Sequence, residues 1–438
     1  MPSTLPPGPR GPAAINLLRL SERPLETLLR WQARYGDCFT VRYPVFGTGV
    51  YVADPAAIRD LHTGDQSDLR AGEANAPLGA VVGERSVLVL DGREHLRQRR
   101  LLLPPFQGSA VGAFRAVVRE VAAREVARWR VGERLVLRAR MRALTFEVIA
   151  RAVFGVTDPA RIERLRRALS AVLQLQGVFL LPGPLRRDLG PLSPGGAMRR
   201  RLQAADALLY EEIARRRAAA DLDERTDVLS LLLRARDEDG APLRDAELRD
   251  ELMTMLLAGH ETTATALAFA FDLLTRHPAA LERLSDELAA APEDGGGPAY
   301  LDAVVTETLR LRPVIDANQR RLTRPRVVAG WELPAGISVY PAIALVHRRP
   351  DLYPRPGAFR PERFLDGRAE SYAWLPFGGG IRRCIGAALA QAEMAEAIRA
   401  IVARVELRPL RPRPDPVVLR GVTLVPRHGV AVEVARAA

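Results

Sequence analysis

Phe377-Gly378-Gly379-Gly380-Ile381-Arg382-Arg383-Cys384-Ile385-Gly386 holds more chemical information than any other stretch of the 438-residue chain. Three successive glycines let a backbone adopt positive φ and approach a flat ligand closely. The apolar pattern that follows predicts a helix over 386–403, and amides near a helix N-terminus can donate to a sulfur anion and keep Cys384 ionised. Phe377 can shield the sulfur, and Arg382 can pair with a carboxylate of the ligand. A glycine-rich turn around an incidental core cysteine would account for any one of these residues but not for the set.

Upstream, residues 246–276 show apolar side chains at helical spacing, a helix of roughly 45 Å at the usual rise per residue. Its middle is polar: Ala258-Gly259-His260-Glu261-Thr262-Thr263. An acid and a hydroxyl within an otherwise dry segment suit proton delivery to a reacting centre. The Thr262 hydroxyl can also bond a carbonyl one turn back and loosen the helix, while Gly259 keeps that wall thin. A kink filled by buried polar residues is the structural alternative. His260 is expected to be packed or solvated.

Glu307-Thr308-Leu309-Arg310 is an E-x-x-R element. The same spacing recurs at Glu94/Arg97, Glu125/Arg128, Glu163/Arg166 and Glu396/Arg399, mostly as plain helix-surface pairs. What singles out Glu307 is order, because Pro361-Glu362-Arg363-Phe364 follows it and the cysteine stretch follows that.

Together these segments resemble the cytochrome P450 family. Phe377, Gly380, Arg382, Cys384 and Gly386 fill its haem-ligating signature F-x-x-G-x-R-x-C-x-G, and 258–263 resembles its oxygen-activation motif. The resemblance implies a mainly helical fold with a small β region, a triangular prism, in one domain over 1–438 with a proline-rich arm over about 1–20. It implies haem b, iron protoporphyrin IX, with Cys384 as the axial iron ligand. Glu261 and Thr262 then manage protons, and Glu307, Arg310 and Arg363 form a structural clamp. Asp91-Gly92-Arg93-Glu94-His95-Leu96-Arg97-Gln98-Arg99 resembles the helix that supplies haem propionate partners, so His95 and Arg99 join Arg320 and Arg382 in that role. Arg321, beside Arg320, is left open as the alternative.

The implied activity is insertion of one oxygen atom from dioxygen into an apolar substrate, a terpenoid, steroid or fatty acid, with two electrons from a separate ferredoxin or flavodoxin and its reductase. Pocket residues are expected from 78–87, Ala258, Val314 and Ile315 within 314–317, and 422–424. Asp316 and Asn318 either orient a polar group of the substrate or cap a turn. The docking face is expected near Cys384, with Arg97, Arg100, Arg382 and Arg383 facing an acidic partner. A peroxide-driven peroxygenase normally lacks the acid and alcohol of 261–262. A non-catalytic haem sensor leaves the polar break in the long helix without a purpose.

Composition agrees with a globular chain: 47% hydrophobic and 26% charged. The net charge of +12 would suggest nucleic acid, yet all 64 basic residues are arginine, scattered along the chain, which reads as coding bias in a GC-rich bacterial genome. No nucleic acid is expected. The start Met1-Pro2-Ser3-Thr4-Leu5 lacks an apolar stretch, and the longest apolar segment, 252–274, is broken by His260 to Thr263, so neither a leader nor a membrane span is expected. Two cysteines far apart, Cys38 and Cys384, suit the cytoplasm, with Cys38 inert. Further helices are expected over 110–130, 141–154, 198–218 and 299–311, and strands over 39–43, 50–53, 327–344 and within 417–434. Loops fall near 181–196, a suspected lid, and at 237–240 and 293–298.

Overall fold

The computed structural model describes residues 5–44, 47–173, 187–190, 193–291, 298–367 and 372–437. Among them run α1 (Ala13–Glu22), α2 (Pro24–Tyr35), β1 (Cys38–Tyr43), β2 (Gly47–Val52), α3 (Pro55–Thr63), β3 (Leu69–Arg70), α4 (Gly92–Leu102), α5 (Ser109–Val126), β4 (Arg134–Val136), α6 (Leu137–Ala152), α7 (Pro159–Leu173), α8 (Pro194–Arg217), α9 (Val228–Arg234) and α10 (Asp245–Leu274). There follow α11 (Pro278–Ala290), α12 (Ala299–Leu311), β5 (Arg320–Leu322), β6 (Arg326–Val328), β7 (Trp331–Leu333), β8 (Ser338–Pro341), α13 (Ala387–Val402), β9 (Val405–Pro409), β10 (Val417–Arg420), β11 (Thr423–Pro426) and β12 (Ala431–Ala437). A few shorter helical turns complete the set. Helix dominates and the strands are short, as the sequence reading requires.

The residues group into two compact units, one of residues up to Arg70, Val118–Thr145 and Glu261 onward, the other of Ala71–Val117 and Phe146–His260. The first holds a sheet in the order β1-β2-β8-β5-β3. β2 runs parallel to β8, and the other pairs are antiparallel. Its two faces bury separate clusters: Val50, Val52, Ile58, Leu61, Leu69 and Val339 on one, and Phe39, Val41, Tyr51, Leu28 and Trp31 on the other. That is the alternation a strand with both faces covered must show. The second unit is helical, with α8 packed on α7.

Six helices escaped both the periodicity reading and the resemblance: α1, α2, α3, α7, α9 and α11. Four of them begin at a proline, Pro24, Pro55, Pro159 and Pro278, the residue whose missing N–H costs nothing at a first helical position. For α3 the start is reinforced by Asp54, whose carboxylate accepts from the Ala57 amide at 2.7 Å. That signal was available in the sequence. α6 begins at Leu137, earlier than expected, because Arg138, Arg140 and Arg142 interrupt the apolar pattern over a turn that is nonetheless helical.

The proline-rich start is shorter than the expected arm, since helix begins at Ala13. Pro6 and Pro7 lie along β1, where their carbonyls accept from the Thr40 hydroxyl and amide at 2.7 and 3.1 Å. A side chain at Gly8 would strike the Thr40 carbonyl. Residues 181–186 and 191–192 of the suspected lid at 181–196, and the loop at 293–297, lie outside the described residues. Among the described residues no helix is long and apolar enough to cross a membrane.

Candidate functional site

Cys384 is exposed in the turn before α13, while Cys38 is buried in the sheet core, and the two form no disulfide. Burial pushes the Cys38 thiol up to about 12, which accords with its expected inertness. A tight turn presents Cys384: its amide donates to the Phe377 carbonyl at 2.9 Å, and the Arg383 amide donates to the Gly380 carbonyl at 3.1 Å. Gly378 and Gly380 adopt φ of 66° and 61°, values that disfavour other residues.

The glycines also answer a crowding that sequence alone did not reveal, and its source is protein. A Cβ on Gly378 would lie 2.6 Å from the Asn318 amide nitrogen, one on Gly379 2.8 Å from the Tyr372 ring, and one on Gly380 1.9 Å from the His62 carbonyl. The C-terminal end of α3 is therefore pressed against the cysteine loop. His62 was not foreseen at this site. Its signal lies far upstream in the chain, where no motif points to it.

Glu307, Arg310 and Arg363 lie together. Arg310 donates to both oxygens of Glu307 at 2.6 and 2.8 Å, and Glu307 Oε1 also accepts from Arg363 Nε at 3.1 Å and the Arg360 amide at 2.8 Å. Arg310 spends its remaining donors on the carbonyls of His347, Pro356 and Ala358. Both Glu307 and Arg310 are fully buried, so the pair is strongly coupled rather than decorative. His347 extends it. Its Nδ1–H donates to the Arg310 carbonyl at 3.1 Å, and its Nε2 accepts from the Leu375 amide at 2.7 Å. Burial first, then the nearby Arg310, pulls His347 down to about 3, so the ring is neutral and its tautomer is set. Leu375 in turn accepts from the Gly378 amide at 2.9 Å, carrying the clamp's rigidity into the loop.

On α10, Glu261 does not stand alone. Its two oxygens meet Arg138 Nη2 at 3.1 Å and Arg142 Nε at 2.7 Å, arginines one turn apart on α6. Arg138 also reaches the Thr265 hydroxyl at 3.3 Å. These partners were missed, although the i, i+4 arginines are visible in the sequence. Thr262 is half-buried, and Ala258 is exposed in the midst of a helix whose flanking residues are mostly buried. Gly259 makes room for Ile149, whose methyl would lie 2.6 Å from an added Cβ. His260 is packed, edge-on to Phe146 at 5.6 Å, one of the two states expected for it. Behind Thr263, Glu393 of α13 is fully enclosed, which raises it well above the usual carboxylate range, and the Thr263 hydroxyl bonds to it.

His95 is buried and Arg99 half-buried on α4. Asp91 ahead of them accepts from the Gly72 and Glu73 amides at 2.9 and 2.8 Å. Arg320 is buried at the start of β5, and Arg321, its alternative, is half-buried beside it. Val314 is buried and tied through its carbonyl to the Leu424 amide at 2.7 Å, while Ile315 packs on the sheet core. Val422 is exposed. The Asp316 carboxyl, raised to about 6 by burial, takes hydrogen bonds from its own backbone and that of Ala317, the turn-capping alternative. Arg97 and Arg100 are engaged within their own unit, Arg97 with Asp237 at 2.6 Å and Glu247 at 3.1 Å, and Arg100 with Glu238.

Among the described residues no group of three or more His, Cys, Asp or Glu side chains could hold a metal ion. A lone exposed thiol instead suits iron that arrives with most of its ligands, as a porphyrin supplies them. The glycine turn beneath it and the arginines near it fit such a planar dianion.

Comparison with known proteins agrees. The family model described as Cytochrome P450 matches residues 5–431. A Mycobacterium tuberculosis protein assigned as cytochrome P450 135B1 is 42% identical over 98% of this chain and 91% of its own length, and one assigned as 135A1 is 40% identical over 97% and 94%. Among solved structures, retinoic acid-bound cyanobacterial CYP120A1 superposes with a TM-score of 0.85 at 27% identity, covering 98% of this chain and 99% of that one. The haem domain of cytochrome P450DA does so at 0.85 and 25% identity, covering 99% and 98%. The chain belongs to the cytochrome P450 family.

Proposed function

We propose that this haem monooxygenase hydroxylates an apolar molecule, a terpenoid, steroid or fatty acid, using dioxygen and two electrons delivered by a ferredoxin or flavodoxin with its reductase. The observation that carries the reading is the exposed Cys384, presented by a glycine turn whose shape is locked through His347 to the buried clamp. The cofactor is haem b. Thioether attachment to a haem vinyl group would need a further reactive thiol, and Cys38 is buried with its thiol pushed up to about 12.

Cys384 would ligate the iron, with His95, Arg99, Arg320 and Arg382 meeting the carboxylates and Phe377 shielding the sulfur. When bound, the haem supplies reductive activation of dioxygen, favoured by electron donation from the thiolate. The remaining tasks fall to side chains. Thr262 Oγ1 hands protons inward from Glu261, and to do so Glu261 must loosen its ion pairs with Arg138 and Arg142. Proton supply is then gated by those two arginines. Ala258, Val314 and Ile315 present small or aliphatic surface, which suits an apolar substrate. The retinoic acid held by CYP120A1, an isoprenoid, supports the terpenoid branch. Arg383, exposed beside Cys384, can receive an acidic electron donor. Two cysteines without a disulfide suit the cytoplasm.

The test is the absorption spectrum of the reduced, carbon monoxide-bound protein. Thiolate ligation puts its Soret band at about 450 nm, and Cys384→Ala should abolish that band. A wild-type band at about 420 nm in well-folded protein would rule out the assigned ligand.

A further inference from the structure

Neighbouring side chains of α10 hold the segment from Val81 to Val87. Arg249 donates to the carbonyls of Val82 and Val81 at 3.2 and 3.4 Å and pairs with Asp206 of α8. Asp250 accepts from the Arg85 amide at 2.9 Å, and its other oxygen accepts from Arg249 at 2.9 Å. It lies so close to Gly83 that a Cβ there would overlap the carboxylate. Thr254 bonds the Ser86 hydroxyl at 2.6 Å. Glu251 accepts from the Val87 amide at 2.8 Å through Oε1.

Glu251 differs from the others in being incomplete. The residue is fully buried, and its Oε2 has no hydrogen-bond partner. Asp250 and Glu247 are the charges that face it, both acidic and both on its own helix. From the held segment it receives the Val87 amide, while Glu84 and Arg85 are exposed; the Asp206 carboxylate of α8 is engaged with Arg249. A carboxylate enclosed here would have a single donor, two acidic neighbours and, among the described residues, no cation paired to it, so the closed arrangement requires the neutral acid. Burial, the largest influence, raises Glu251 to about 8. Ionisation calls for water at Oε2, which lifting of the Val87 segment admits.

We propose that Glu251 is a proton-operated latch: while protonated it keeps residues 83–87 closed on α10, and loss of the proton frees them. The opened form binds the proton less tightly, so opening releases it and is favoured as pH rises. Residues 78–87 are those expected to line the pocket, so the latch regulates entry of the apolar substrate. That step rests on the function proposed above.

The test is hydrogen exchange of the Arg85 and Val87 amides in the holoprotein, together with the association rate of phenylimidazole, a bulky ligand for ferric haem. Exchange through a pH-independent opening speeds about ten-fold per pH unit, because hydroxide catalyses it, and an opening that itself releases a proton adds about ten-fold more. Between about pH 6 and pH 8 these amides should show the compounded rise of about a hundred-fold per unit, and phenylimidazole should bind faster toward the upper end. Glu251→Gln keeps an acceptor for the Val87 amide and cannot ionise, so its exchange should rise only about ten-fold per unit, with a flat association rate. Thr254→Val, which loosens Ser86 without touching the proton, should raise exchange by the same factor at every pH. A wild-type rise of only about ten-fold per unit overturns the latch. Compounded exchange with a flat association rate overturns its control of entry. Wild-type protein that never binds phenylimidazole at its iron would instead defeat the haem reading, and the exchange result alone would then decide the latch.

Discussion

Glu307→Gln preserves the shape of the side chain and removes only its charge. Four hydrogen bonds converge on this carboxylate, two from Arg310 and one each from Arg363 and the Arg360 amide. Arg310 is fully buried, so the variant leaves a guanidinium without its counter-charge in the interior, a loss of about 3–5 kcal/mol. A typical domain has only about 5–15 kcal/mol to lose. The chain contains its own control: Glu163 and Arg166 have the same spacing and the same 2.6 Å contact, but their side chains are 36% and 44% exposed. Glu163→Gln should cost less than about 1 kcal/mol. Urea midpoints of the holoprotein measure both. A Glu307→Gln midpoint indistinguishable from that of Glu163→Gln would refute the view that burial, and not the motif, makes the clamp strong.

Glu251 of α10 is buried, accepts from the Val87 amide at 2.8 Å, and is raised to about 8, chiefly by burial and further by Asp250 and Glu247. A carboxyl whose folded pKa lies above its unfolded value binds its proton more tightly when folded, so stability is complete at low pH and declines as pH climbs from about 4.5 to about 8. Glu251→Gln should match wild type near the bottom of that window and surpass it near the top by a few kcal/mol, read from urea midpoints across the range; parallel profiles would contradict this. Thr262→Ala should keep the thiolate spectrum yet raise the electrons consumed per product formed, and unchanged coupling would remove Thr262 from proton delivery.

Much of the site is legible in the sequence. The cysteine loop and the acid and alcohol of α10 each occupy a short contiguous stretch that local chemistry selects, and the clamp's two short stretches are selected by their order along the chain. His62, His347, Arg138 and Arg142 were not legible as site residues. Each acts on a segment remote in sequence, His62 on Gly380 and His347 on Leu375, and no spacing rule links residues separated by an arbitrary length of chain. The triple glycine shows the same divide, since its positive φ was expected but the carbonyl and ring that forbid side chains there come from α3 and Tyr372.

The chain's order of residues by itself determined which side chains carry the chemistry, because ligation, proton transfer and ion pairing depend on functional groups that can be read one letter at a time. Order along the chain pointed to one of several identical patterns, but tertiary structure alone decided that its ion pair is strong. Glu307/Arg310 and Glu163/Arg166 are the same motif, and only the first is sealed from water, where a charge must be answered by another charge.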